Sequence, residues 1–300
     1  MKKKIAKVTV FIILIVCLSA GLYVVEKKTI PVIGCFIGVV LGILIPYLGK
    51  LLIDLSDVDL WQVELRQLRR AGILKKNDKV RISFAYLFRI KVDDKYMLVL
   101  NGRGTQKYQP VGGAYKCSEE EKDYLCNKFS VVDDDKIKLD KSSHNDYRLH
   151  VPVKYLKKFI KRFNKSSNRE TISDLSREFK EELIETNILD FSHIMYRYCG
   201  RHFTKIEYSR HFNCYELLMA DIVELKETKE QMQILRDLGT CKSKNFRFVN
   251  AKQIKTCGIV EGTDKMVENI GDHTIKILQD NEIELYKVKR NNKIYEVDIK

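Results

Sequence analysis

Three glutamates, Glu178, Glu181 and Glu182, follow Arg177 within the stretch Arg177-Glu-Phe-Lys-Glu-Glu182. On a helix of 3.6 residues per turn, these positions and Glu185 fall within about 100° of arc. Carboxylates crowded onto one face repel one another. A divalent cation removes that cost. Mg²⁺ and Mn²⁺ prefer hard oxygen ligands and usually also hold substrate phosphates. The stretch is therefore a candidate metal platform, although on spacing alone a solvated acidic face is the commoner explanation.

A second chemistry is written in basic residues interleaved with aromatic ones. Tyr196-Arg-Tyr-Cys-Gly-Arg-His202 and Tyr208-Ser-Arg-His211 carry both kinds, as do Arg103 and Tyr108. Guanidinium groups pair with phosphates and aromatic faces stack on bases. Arg103, Tyr108, Arg201, His202 and Arg210 are thus candidates for binding an anionic, base-bearing ligand; each taken singly also fits ordinary strand surface. His144, His150, His193 and His273 stand apart, with no nucleophile motif and no Walker-type loop. The eight cysteines at 17, 35, 117, 126, 199, 214, 241 and 257 form no Cys-x-x-Cys pair, which leaves a zinc ribbon or thioredoxin-type site unsupported. In a cytoplasmic domain they are expected to be reduced thiols.

The elements that must position these groups begin with two apolar runs. Val8–Val25 and Ile30–Leu48 carry no charge and are separated by Glu26-Lys27-Lys28-Thr29. A bilayer core takes roughly 20 apolar residues of helix, so residues 1–56 read as a transmembrane hairpin. A cleaved signal peptide is the competing reading of the first run, but a hairpin accounts for both runs together. Lys2, Lys3, Lys4 and Lys7 precede the pair, and Lys50, Arg66, Arg69 and Arg70 follow it. The positive-inside rule then puts both termini in the cytoplasm of a multi-pass inner-membrane protein. The chain carries a net charge of +14; its first 56 residues contribute +5, leaving +9 on the remainder. A basic cytoplasmic domain suits an anionic partner, whether nucleotide, nucleic acid or anionic lipid.

Leu51–Ala71 reads as a connecting helix, with linker to residue 79. Strands are expected over Val80–Val92 and Lys95–Leu100, turning at Asp93-Asp94. Gly112-Gly113 marks a tight turn or close backbone approach. Residues 117–150 read as an irregular insertion, and Lys154–Phe163 as a short amphipathic helix with Leu156, Phe159, Ile160 and Phe163 as its stripe. Thr171–Thr186 is the strongest helical pattern, through Ile172, Leu175, Phe179 and Leu183. Strands near Ile194–Tyr198 and Asn213–Val223, a helix over Glu224–Leu238, a strand at Phe246–Val249, a helix within Gly262–Asp280 and a hairpin over Ile283–Ile299 turning at Asn291-Asn292 complete an α+β order.

Arg177-Glu-Phe-Lys-Glu-Glu182, preceded by Pro110-Val-Gly-Gly113 and by Glu119, resembles the core of the Nudix box. That resemblance implies a Nudix-like mixed β-sheet sandwiched by helices over residues 80–300. It also implies Mg²⁺ or Mn²⁺ at Glu178, Glu181 and Glu182, orientation of those glutamates by Arg177, and a loop shaped by Gly112 and Gly113. Two departures stand out. An insertion at about 117–168 leaves 63 residues between Gly113 and Arg177, and Ile184 occupies the position of the family's glycine. Without that glycine the helix is expected to run on, and enzymatic activity is left open. Two transmembrane helices followed by an inserted Nudix domain resemble the membrane effectors of cyclic-oligonucleotide-based antiphage signalling systems (CBASS), the SMODS-associated Nudix family. The resemblance implies a cyclic nucleotide second messenger, membrane lipid and further copies of the chain as partners. It implies no nucleic-acid partner, and abortive infection through membrane disruption as the outcome. A membrane-tethered Nudix hydrolase of nucleoside diphosphate derivatives is the alternative.

Overall fold

The computed structural model describes residues 2–27, 31–55, 60–102, 105–134, 136, 143–260, 262–263, 265–278 and 293–299. The chain divides into two compact units, Met1–Gln67 and Leu68–Lys300.

In the first unit, α1 (Lys2–Lys27) and α2 (Pro31–Leu55) pack together. Phe11 lies tilted against Tyr47 with ring centroids 5.1 Å apart, Gly21 faces Ile37, and Gly34 faces Val25 and Leu22, so the two helices run antiparallel. Both are long and apolar enough to cross a membrane, over Val8–Val25 and Val32–Gly49. Their apolar side chains face outward: Val10, Val16, Phe36, Val39 and Ile43 are all exposed, the reverse of a soluble core helix. Helix α2 continues to Leu55 and α3 begins at Leu60 (Leu60–Arg70). The single connecting helix expected from Leu51 is therefore two elements, separated by residues outside the described set.

The second unit is built on β1 (Lys79–Arg89), whose alternation explains the two faces of its sheet. Phe84, Tyr86 and Phe88 point to one side; Arg81, Ser83, Ala85, Leu87 and Arg89 point to the other. The short β2 (Lys91–Val92) and β3 (Lys95–Leu100) follow, turning at Asp93 with φ +53°, and then β4 (Tyr108–Gln109) and β5 (Gly112–Ala114). Residues 117–150 are ordered rather than irregular. Ser118 caps α4 (Glu119–Phe129) by accepting the Glu121 N–H, and Ser130 closes it in the left-handed region. This helix has a sparse apolar stripe: Leu125 and Phe129 are buried beside Glu121, whose carboxylate pairs with Arg162 at 2.9 Å. Then come β6 (Val132–Asp133), β7 (Arg148–Pro152) and α5 (Leu156–Phe163), whose four stripe residues are all buried as expected.

Thr171–Ser176 is not helical. The Tyr196 hydroxyl accepts the Leu175 N–H and donates to the Ile172 carbonyl, which removes both groups from any helical ladder. Helix α6 covers Arg177–Phe179 and widens into a π-type turn over Lys180–Ile184. It does not run on past Ile184. Asn187 supplies the left-handed residue, φ +55°, and the N–H groups of Ile188 and Leu189 both reach the Leu183 carbonyl. Asparagine tolerates that conformation, so the left-handed residue after the helix lies three positions beyond that of the missing glycine.

The remaining strands are β8 (His193–Phe203), β9 (Glu207–Ser209) and β10 (Cys214–Leu225). Glu224 and Leu225 belong to β10, and α7 (Lys229–Thr240) starts later than expected because Thr228 and Gln231 form a capping box. Strand β11 (Phe246–Asn250) leads into α8 (Ala251–Lys255), which the sequence reading missed. The helix expected in Gly262–Asp280 reduces to a 3₁₀ turn, Asp272–Ile277. Arg89 takes the carbonyls of Ile277 and Leu278 at 2.5 and 2.6 Å, which pins that turn to the sheet. Of the expected tail hairpin, residues 283–292 lie outside the described set; Ile294–Asp298 is β12, paired with β8.

The large sheet runs β12-β8-β10-β1-β7-β6, with β5 also on β1 and β9 on β10; a smaller sheet runs β11-β3-β2, with β4 on β3. β1 pairs parallel with β10 and antiparallel with β7 and β5, so the sheet is mixed. One face buries Phe84, Tyr86, Phe88, Tyr115, Phe159, Phe163 and Phe179 against the helices. Each fully buried aromatic side chain contributes on the order of 1.5–3 kcal/mol. On the other face, Leu87, Ala220 and Ile222 meet Tyr96, Leu98, Val249, Ile254, Ile270 and Ile277.

Candidate functional site

The 63-residue gap in the sequence motif closes in space. Lys116 and Glu170 exchange backbone and side-chain hydrogen bonds at 2.8–2.9 Å. Cys117 bridges to Arg169, and the Ser118 N–H reaches the Asn168 carbonyl at 2.9 Å. The insertion is zipped at its stem, and Arg177 arrives beside Ala114 as if the intervening chain were absent.

Gly112 sits at φ +144°, and a β-carbon there would collide with the Tyr86 carbonyl. Gly113 lies against the Glu178 carboxyl group so closely that a β-carbon would overlap it. The bare backbone lets the Gly112 N–H donate to Glu182 Oε2 at 2.9 Å. Arg177 is the hub. It donates to Glu170 Oε1 at 2.6 Å, Glu178 Oε1 at 2.7 Å, Glu181 Oε2 at 3.4 Å and the Ala114 carbonyl at 2.9 Å. Burial opposes its charge, but the Glu170 hydrogen bond and the Glu178 charge outweigh it and hold the guanidinium protonated.

The carboxylates carry the opposite tension. Burial and then the Glu178 charge push Glu182 up to about 8, although the Gly112 N–H works against them. Glu182 keeps some accessible area, yet its carboxyl group is set deep among protein atoms, so desolvation dominates. Glu181 is also raised, first by burial. Glu182 is therefore neutral at pH 7 in this arrangement. An acid whose folded pKa lies above its unfolded value costs nothing below the unfolded value and destabilises increasingly as pH rises through the folded one. In chelator, Glu182→Gln is accordingly expected to gain melting temperature relative to the parent as pH is raised from about 5 to about 8, levelling off above. A constant offset across that window, followed by thermal denaturation, would refute it.

The donor chemistry of the three glutamates suits a hard cation. As folded, Glu178 is engaged by Arg177 and Glu182 by Gly112. Among the described residues no three His, Cys, Asp or Glu side chains are gathered to hold a metal ion. Glu119 is exposed and bonded instead by His144 at 2.7 Å and Asn145 at 2.8 Å.

Of the five ligand candidates, the four among the described residues do not converge. Arg201 forms a two-pronged ion pair with fully buried Asp221 at 2.7–2.8 Å, and Asp221 also accepts the Tyr115 and Tyr198 hydroxyls. Tyr108 is buried in the small sheet, bonded to the Lys244 carbonyl under Arg247. Arg210 is exposed in the turn before β10, and Arg103 lies outside the described residues. His202 is half-buried on the sheet face opposite Arg201. Burial first, then the charges of Lys276 and Arg89, lower it to about 4. Sequence reasoning missed Glu170, the principal partner of Arg177, and Asn187; neither belongs to a recognisable spacing.

The profile of the SMODS-associated NUDIX domain matches residues 79–278. No curated protein matches the chain. Among solved structures the chain is similar to a UDP-X diphosphatase, at 12% identity over 91% of this chain and 92% of that one, with a TM-score of 0.24.

Proposed function

The chain belongs to the SMODS-associated NUDIX domain family, and from that premise we propose that it is a membrane effector of a CBASS antiphage system. Its Nudix-like domain senses a cyclic nucleotide. Its two apolar helices span the inner membrane with both termini cytoplasmic, and on ligand binding they assemble and disrupt the bilayer. The observation that carries this reading is the pair of outward-facing apolar helices, each long enough to cross a membrane, in a chain whose residues 79–278 match the family. A ligand that favours the assembled state shifts the population toward it. Two helices are too few to line a pore alone. Gly38 and Gly42 have nothing within 4 Å and leave room for a neighbouring helix. Chemical crosslinking in membranes is expected to give higher oligomers with ligand; a chain that stays monomeric in both states contradicts assembly.

The second reading, a membrane-tethered hydrolase, has one observation in its favour: the zipped insertion sets Glu178 against Gly113 and Glu182 against Gly112 despite the gap, with Glu181 on Arg177. Mg²⁺ or Mn²⁺ there would supply Lewis-acid stabilisation of a pyrophosphate. Binding of cyclic di- and trinucleotides to the full chain in detergent separates the two. Recovery of the bound ligand intact supports the receptor. Release of phosphate or monophosphate from nucleoside diphosphate derivatives with either metal supports the hydrolase.

A further inference from the structure

Helix α5 presents two opposite rows. Leu156, Phe159, Ile160 and Phe163 are buried, with Phe159 and Phe163 against Phe84 of β1. Lys154, Lys157, Lys158, Lys161 and Lys165 repeat the same three- and four-residue spacing and are all exposed. At 3.6 residues per turn each row covers about 100° of arc, and the two are centred about 180° apart. Tyr155 and Asn164 flank the helix in right-handed helical conformation, so Lys154 and Lys165 prolong the basic row at either end. No acid occurs between Val151 and Asn168.

The domain does not neutralise this row. The carboxylate of Glu121 is taken by Arg162, on the flank. Lys154 donates to Asn77 Oδ1 at 3.1 Å and lies over the Tyr155 ring. Among the described residues none of the five lysines has an acidic partner. Like charges three and four residues apart weaken a helix, and solubility is served by both signs interspersed. The row also continues into the chain that enters the domain. The Val153 N–H donates to the Asp78 carbonyl at 2.9 Å and the Lys154 N–H to the Lys76 carbonyl at 3.1 Å, which sets exposed Lys75 and Lys76 beside the start of α5. From Leu55, the end of α2, to Leu68, the start of the second unit, the chain advances 13 positions, a reach of at most about 45 Å.

We propose that the lysine face of α5, extended by Lys75 and Lys76, docks the Nudix-like domain on the anionic lipid headgroups of the membrane that its own helices enter. The proposal rests on the reading that α1 and α2 span a bilayer. Clusters of about four to eight basic residues close to a membrane span are attracted to anionic lipid, and a second, electrostatic contact adds to an apolar anchor. The contact is with headgroups alone, because every apolar residue of α5 is already buried in the domain. Lysines are compact, hydrated point charges on flexible stems, which suits laterally mobile headgroups. A single-stranded nucleic acid would want exposed rings for its bases, and Phe159 and Phe163 are turned inward.

The test places the full chain in nanodiscs of phosphatidylcholine alone or mixed with phosphatidylglycerol, and follows lysine acetylation by mass spectrometry. Lys157, Lys158, Lys161 and Lys165 are expected to react at least about threefold more slowly in the anionic discs, with the difference lost at high salt. Lys229 and Lys242, exposed on and after α7, are expected to react alike in both. The variant Lys157→Gln/Lys158→Gln/Lys161→Gln/Lys165→Gln removes exposed, unpaired charges and is expected to melt as the parent does. In it, Lys154 is expected to lose its protection in anionic discs. Equal rates in the two discs overturn the docking and leave the spanning reading intact. Protection of Lys154 that persists in the variant overturns the part given to α5. A chain that stays with neither disc overturns the spanning reading and the docking with it. Slower acetylation with an added oligonucleotide, and not with anionic discs, assigns the face to nucleic acid and overturns the lipid contact.

Discussion

Replacing Arg201 by leucine is expected to destabilise the Nudix-like domain by about 3–5 kcal/mol, the cost of leaving one partner of a buried ion pair alone. Asp221 is 0% exposed and takes both prongs of the Arg201 guanidinium. The Tyr115 and Tyr198 hydroxyls still donate to Asp221 in the variant, but two neutral donors do not balance a carboxylate in a dry core. The double variant Arg201→Leu/Asp221→Asn removes the charge and is expected to recover a substantial part of the loss. Chemical denaturation of the four proteins of this cycle measures it. Near-parental stability of Arg201→Leu, with binding of phosphate probes abolished, would return Arg201 to the ligand-binding role its sequence context suggested.

Gly112→Ala is expected to cost about 3 kcal/mol or more, from a disfavoured positive φ added to backbone overlap. The overlapping atom is the Tyr86 carbonyl oxygen on a central strand, which cannot move aside as a side-chain tip can. Gly113→Ala meets only the Glu178 carboxyl group. It is expected to cost less stability and to displace Glu178 from Arg177. Gly102, with open space around it and an ordinary φ, is the control: Gly102→Ala is expected to stay within about 0.5 kcal/mol of the parent. Equal unfolding midpoints for Gly112→Ala and Gly102→Ala would mean that the close approach at Tyr86 does not exist.

What the sequence made legible followed strong local periodicity. The alternation through Phe84, Tyr86 and Phe88 located β1, the uncharged runs located α1 and α2, and the crowded glutamates with Gly112-Gly113 located the Nudix scaffold. What it hid was set by partners distant in the chain. Helix α4 carries only Leu125 and Phe129 as apolar anchors, and its buried Glu121 is neutralised by Arg162, 41 residues on. Thr171–Ser176 has a helical pattern, but the Tyr196 hydroxyl captures its backbone. The length of the insertion was readable; the Lys116–Glu170 zip that cancels it was not. Basic and aromatic residues on β8 looked alike in sequence. The pleat sends Arg201 to Asp221 in the core and His202 to the opposite, half-open face.

Dye release from liposomes containing the full chain tests the central claim most directly. Cyclic di- and trinucleotides are added one at a time, and each is recovered afterwards. Release of dye by one of them, with that ligand recovered chemically intact, is the expected result. No release with any of them, or consumption of the ligand that gives release, would contradict a ligand-gated membrane effector.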